Sequence, residues 1–129
     1  INVAFGGKLL QKIPGHYLER QNNADPLPSH QVYISPGSKL AAVMGTGGFF
    51  KVNSVHNQGL RFSQSSPKLL ASAYSLQDGI VEGLESPEHS WVIGVQWHPE
   101  RVDEVSRSFA NLFASFVERA EKYDKQYST

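Results

Sequence analysis

Three features of the sequence predict an α/β fold. Short apolar segments with strand-like alternation recur through its middle. One of them, "WVIGVQW" (Trp91 to Trp97), is the longest unbroken apolar-rich run of the chain. Such a strand belongs in the middle of a sheet, covered on both faces. The third feature is helical. Val105, Phe109, Leu112, Phe113, Phe116, Val117 and Ala120 recur at helical spacing and form one apolar stripe.

The elements follow in order. "INVAF" reads as the last turn of a helix stopped by Gly6-Gly7. The expectation is therefore that further sequence precedes Ile1. Residues 8–30 carry three prolines and many polar residues, which predicts a long loop. "HQVYI" (His30 to Ile34) is a strand closed by Ser35-Pro36-Gly37. Ser38 to Gly45 is a short helix with Ser38 as N-cap and Gly45 as stop. "TGGFF" reads as a turn, and Lys51 to His56 as a strand. Leu69 to Ser75 and Ile80 to Glu85 form a hairpin about Asp78-Gly79. After Trp91 to Trp97, Asp103 is the expected N-cap of the last helix, and "KYDKQYST" reads as a frayed end.

Composition narrows the class. The 129 residues are enough for one domain with a core. Twelve Lys and Arg balance twelve Asp and Glu, so no basic surface points to nucleic acid or an anionic membrane. No run reaches the ~18 apolar residues of a membrane span, and the first ten residues show no signal-peptide pattern. The absence of cysteine removes disulfides, thiolate metal sites and a cysteine nucleophile from these residues. His16, His30, His56, His89 and His98 show neither H-x-x-x-H nor H-x-H spacing, so no metal and no cofactor is expected. Gly45 to Gly48 lacks a following Lys-Ser/Thr helix and reads as a turn rather than a phosphate loop. Asp78 and Glu82 read as a turn residue and a strand residue rather than a catalytic pair.

The end of the apolar strand carries the chemistry. "GVQWHPE" (Gly94 to Glu100) stops at two side chains able to move a proton. Residues i and i+2 of an extended chain point to one side, which would let His98 and Glu100 meet. A carboxylate beside an imidazole accepts its Nδ1–H and leaves the other nitrogen as a general base. A loop histidine and a solvated glutamate would explain the same residues, and no nucleophile is evident nearby.

"GVQWHPE" resembles the signature that ends the catalytic strand of class I glutamine amidotransferases. Other stretches resemble the gamma-glutamyl-gamma-aminobutyrate hydrolase-like branch of peptidases. These are "INVAFGG", "ISPGSKLAAVMG", "VNSVHNQGL" (Val52 to Leu60) and "DGIVEGLE" (Asp78 to Glu85), in the family's order. The resemblance implies a flavodoxin-like α/β domain, of which residues 1–129 are the C-terminal part. It implies His98 as catalytic base and Glu100 as its orienting carboxylate. It also implies that His56, Asn57 and Gln58 line the glutamyl pocket through main-chain groups. Asn57 stands where the family usually has a second histidine. The family's nucleophile is a Cys in a G-x-C-x-G elbow, which would fall about half a dozen residues before Ile1.

The activity so implied is hydrolysis of a gamma-glutamyl amide bond through a cysteinyl thioester. The expected partners are a small gamma-glutamyl substrate and the N-terminal segment of the same domain. A homo-oligomer stays open, and a cytoplasmic location is expected. Two rivals remain. One is a glutaminase subunit that passes ammonia to a synthase partner; the other is a non-catalytic homologue that kept the fold as a scaffold.

Overall fold

Among the described residues, five strands form one antiparallel sheet in the order β2-β1-β3-β4-β5. The strands are β1 (Ser29–Ile34), β2 (Gly48–Asn53), β3 (Leu70–Ser75), β4 (Val81–Glu85) and β5 (Ile93–Val95). Two helices, α1 (Lys39–Met44) and α2 (Ala110–Tyr127), complete the order. The computed structural model describes residues 1–16 and 28–128. Residues 17–27 of the long loop expected over residues 8–30 lie outside them.

Local chemistry accounts for the elements. Ser38 Oγ accepts the Ala41 N–H at 3.0 Å, and Gly45 ends α1 with φ +85°, where a side chain would be strained. The carboxylate of Glu85 accepts the Lys39 N–H through both oxygens, at 3.1 and 2.8 Å. A negative charge thus meets the first turn of α1 and ties the helix to β4. The β3–β4 hairpin closes as expected: Ser75 N–H donates to Ile80 O at 2.8 Å, and Gly79 turns with φ +71°.

The larger core cluster joins Val32 and Ile34 of β1 and Val52 of β2 to Leu40, Met44, Trp97, Phe109 and Leu112. Trp97 and Phe109 lie in ring contact with centroids 5.2 Å apart. A smaller cluster gathers Leu60, Leu69, Val81 and Leu84, with Phe5 against it.

Four expectations need correction. First, β2 runs from Gly48 to Asn53 rather than Lys51 to His56. Gly48, Phe49 and Phe50 pair with Ile34, Tyr33 and Val32, so most of "TGGFF" is strand. Ser54 onward leaves β2 and crosses towards β4, where Val81 N–H donates to Leu60 O at 2.8 Å.

Second, the strand at 91–97 is only Ile93–Val95, and it is an edge of the described sheet. It pairs with β4 alone and is half-buried, not covered on both faces. Third, Asp103 caps nothing. Residues 98–104 are consumed by turns, with Arg101 N–H to His98 O at 3.2 Å and Glu104 N–H to Arg101 O at 2.9 Å. The last helix starts as a 3₁₀ turn at Arg107–Phe109. Its stripe is only partly covered: Phe109 and Leu112 are buried, while Phe113, Phe116 and Val117 are exposed. Fourth, the C-terminus does not fray at Lys122. The Glu118–Lys122 pair and the Tyr123–Tyr127 ring contact, each spaced i, i+4, carry α2 on to Tyr127.

These contacts rank the positions for stability. Phe109→Ala is expected to lower the unfolding free energy of the whole protein by about 3–5 kcal/mol. Ser38→Ala is expected to cost about 1 kcal/mol. Urea denaturation followed by tryptophan fluorescence checks both. A Phe109→Ala effect no larger than that of Ser38→Ala would contradict the core described here.

Candidate active site

The turn that follows β5 brings His98 and Glu100 together. His98 Nδ1 and Glu100 Oε1 are 2.6 Å apart. A carboxylate accepts, so a proton sits on Nδ1, and in the neutral ring Nε2 then carries the lone pair. The two side chains are 40% and 56% exposed, and Nε2 has no hydrogen-bond partner among the described residues. Glu100 accepts from its own backbone N–H and then from His98, and both hold its carboxyl below the ordinary range. In so exposed a pair the bond acts by orientation more than by energy.

Asn53 fixes this turn from the far side of the sheet. Its Oδ1 accepts the His98 backbone N–H at 2.8 Å, and its Nδ2 donates to His98 O at 3.1 Å. Nδ2 also donates to Glu104 Oε1 at 3.2 Å. The side chain is fully buried, with the main chain of His98 as its partner. Asn53 ends β2, and His98 follows β5. These strands stand at opposite ends of the strand order, so the sheet curls until its ends meet at the candidate base.

His56, Asn57 and Gln58 lie three to five residues beyond Asn53 and line a cleft of about 580 Å³ with Gln11, Lys12 and Gln96. His56 Nδ1 donates to Gln58 O at 2.9 Å. Gln96 Nε2 reaches the same carbonyl at 3.4 Å, two residues before His98. Gln58 Nε2 donates to Gln11 Oε1 at 2.7 Å, and Asn57 O accepts the Ile13 N–H at 2.7 Å. The segment is thus held by its main chain on one side, while its side chains border the cleft.

Beneath it lies a group that the spacing of the histidines does not announce. Glu82 of β4 has no exposed side-chain surface. Its Oε1 is 3.2 Å from His16 Nδ1, 3.0 Å from His30 Nε2 and 3.6 Å from His56 Nε2. His16 Nε2 is 2.6 Å from Asp78 Oδ2. Burial pushes the Glu82 carboxyl up, and the contacts with His16, His30 and His56 outweigh it, so the group stays well below the usual range. His16 is raised, first by Glu82, against its own burial, and then by Asp78. His16, His30 and Glu82 place one ligand atom each within 4.8 Å of one another, an arrangement able to hold a cation.

The fold explains the gathering. β3 has ended at Ser75, opposite Val32, so His30 lies past the paired stretch. The β3–β4 turn there supplies Asp78, and β4 supplies Glu82. The sequence singles out His98 and Glu100 as a pair, and they meet. It places His56 in a pocket wall, and His56 both lines the cleft and faces Glu82. Asn53, His16, His30 and Glu82 are missed as functional candidates. One signal was present: a Glu in the otherwise apolar strand "IVEGL", four residues past a turn Asp. No helix among the described residues is long and apolar enough to cross a membrane.

Both the sequence and the fold have known relatives. Residues 1–100 match the family model described as peptidase C26. The chain is 37% identical over 106 residues to the Escherichia coli gamma-glutamyl-gamma-aminobutyrate hydrolase PuuD, covering 76% of this chain and 41% of that protein. It is 33% identical over 129 residues to a Schizosaccharomyces pombe protein with a provisional glutamine amidotransferase name, covering 98% and 49%. The chain therefore spans about half the length of the curated relatives it matches. A Thermoplasma acidophilum crystal structure, provisionally assigned to a GMP synthase, superposes with a TM-score of 0.68 at 15% identity. It covers 99% of this chain and 55% of that one. The fold is that of the class I glutamine amidotransferases, and the chain belongs to their peptidase C26 family.

Proposed function

We propose that the protein hydrolyses a gamma-glutamyl amide bond through a cysteinyl thioester, with His98 as base and Glu100 as its orienting acid. The observation that carries this reading is the 2.6 Å His98–Glu100 pair at the end of β5 in a peptidase C26 chain. These 129 residues contain no cysteine. The nucleophile is assigned to another part of the same domain, close to Nε2 of His98.

The steps follow from the pair. Nε2 takes the thiol proton, and the thiolate adds to the gamma-glutamyl carbonyl carbon. The imidazolium formed is stabilised by Glu100. His98 then returns the proton to the departing amine as the C–N bond breaks. Water, deprotonated by the same nitrogen, cleaves the thioester and releases glutamate. Backbone N–H groups beside the nucleophile would stabilise the oxyanion. His56, Asn57 and Gln58 form the substrate wall of the cleft, and their main chain holds it in place.

Half-buried β5 and the exposed face of α2 carrying Phe113, Phe116 and Val117 are assigned to packing against the rest of the domain. A second reading is delivery of ammonia to a synthase partner. The glutaminase domain of Trypanosoma brucei CTPS superposes with a TM-score of 0.55 over 70% of this chain. At 20% identity that likeness shows the fold alone. Partner-independent turnover of a gamma-glutamyl amine separates the two readings.

In the full-length protein, His98→Ala is expected to lower kcat/KM by at least about 10²–10⁴-fold, the contribution of a positioned base. Glu100→Gln is expected to cost less, because the base remains. Steady-state rates on a gamma-glutamyl amide measure both, and unchanged turnover in His98→Ala would remove it from the mechanism.

Asn53→Ala should reduce kcat by up to about 10²-fold, as expected when a reacting group is misplaced. KM should change little, since Asn53 holds the base and not the cleft wall. A rise in KM at constant kcat would place Asn53 in substrate binding instead.

A further inference from the structure

We propose that His16, His30, His56 and Glu82 form a buried site for one divalent transition-metal ion of the zinc class, with Asp78 orienting His16. The site is separate from the His98–Glu100 pair and does not depend on the function assigned to that pair.

Proton positions decide what this cluster can hold. His16 Nε2 faces the Asp78 carboxylate at 2.6 Å, and a carboxylate only accepts, so Nε2 carries hydrogen. In the neutral ring, Nδ1 is then a lone pair, and it points at Glu82 Oε1 from 3.2 Å. Ser54 Oγ lies 3.3 Å from the same nitrogen, but its hydrogen goes to His16 O at 2.8 Å. His56 repeats the pattern. Nδ1 donates to Gln58 O, and the lone pair of Nε2 faces Glu82 from 3.6 Å. His30 Nε2 completes the group at 3.0 Å. Ring nitrogens of three histidines and the carboxylate thus converge on one point, where a cation can take the place of the protons they would otherwise share.

Three further observations agree. Among the described residues, Glu82 Oε2 and His56 Nε2 are buried without a hydrogen-bond partner. An unpaired buried carboxylate oxygen is costly, and a metal ion relieves it. Measured from the carboxylate, the spacing also fits. Zinc bonds of about 2.1 Å in a tetrahedron place neighbouring ligand atoms about 3.4 Å apart. The three distances from Glu82 Oε1 are 3.2, 3.0 and 3.6 Å. Finally, the charges balance: two carboxylates and three neutral imidazoles match one divalent ion.

A carboxylate behind a ligating histidine is the usual outer partner of a metal site. Asp78 occupies that position, and its side chain is 30% exposed. His56 Nε2, 3.6 Å from Glu82 Oε1, would add a fourth ligand to His16, His30 and Glu82 and close the site, which assigns a structural role. The ion would pin the loop before residue 17, β1, β4 and the His56 end of the cleft wall together.

The test uses full-length protein made without a polyhistidine tag. Elemental analysis of the purified protein is expected to find about one zinc per chain. After chelation, added zinc should raise Tm, and cobalt(II) should give the intense visible absorption of a tetrahedral site. Glu82→Gln should lose the metal. Should that variant fail to fold, Asp78→Asn at the partly exposed turn serves, with an expected loss of zinc affinity of about 10–100-fold. Metal-free purified protein whose Tm does not respond to zinc would overturn the proposal. So would zinc affinity unchanged in Asp78→Asn, or a cobalt spectrum of octahedral form.

Discussion

Glu82 buries its carboxylate completely within β4. Such a charge gives up several kcal/mol of solvation unless groups around it compensate. The groups that do so come from segments far apart in sequence. His16 lies in the N-terminal loop, His30 opens β1, and His56 follows β2. The β3–β4 turn adds Asp78 behind His16. Each can reach Glu82 only if β1 and β4 flank the end of β3, and if the chain after β2 turns back across β4. The compensation of one buried charge therefore constrains the register of the hairpin, the path of the crossover and the position of the cleft wall. Removing the carboxylate alone would also leave buried histidine nitrogens facing one another, so the cluster acts as a unit.

A second, neutral constraint builds on this frame. The Asn53 amide pairs with both main-chain groups of His98. This joins the end of β2 to the turn after β5, across the full width of the strand order. Asn53 sits three residues before His56, so the candidate base and the cleft wall lie beside the same strand end. Curling of the sheet is what brings them into one region. Among the described residues the base is partly exposed and oriented by Glu100, while the Asn53 side chain that holds its main chain is buried.

Much of this could be read from local chemistry. Ser38 and Gly45 bound α1 as their residue types require, and Asp78-Gly79 turns the hairpin. His98 and Glu100 were legible because two residues in an extended turn need no tertiary information to meet. The rest depended on long-range geometry. The spacing of His16, His30 and His56 carries no metal-like pattern, since three different segments deliver them. Asn53 reads as an ordinary strand polar residue until the sheet curls. The strand at 91–97 misled for a different reason. Its apolar composition fits a strand covered on both faces, whereas within this chain β5 has a partner on one side only. The same holds for α2, whose stripe predicts burial of Phe113 and Phe116 that the described residues do not supply. Apolar pattern records what a segment needs, not which part of the protein provides it.

The central claim is that the fold presents His98 as a neutral base with its lone pair on Nε2. The most direct measurement is the nitrogen-15 chemical shift of the His98 ring in the full-length protein, above about pH 8 where an ordinary histidine is neutral. The expected result is a protonated Nδ1, held by Glu100, and an unprotonated Nε2. Glu100→Gln should move the tautomer balance towards Nε2–H. A wild-type ring carrying its hydrogen on Nε2 would contradict the claim, because that nitrogen would then have no lone pair with which to take the proton of a nucleophile.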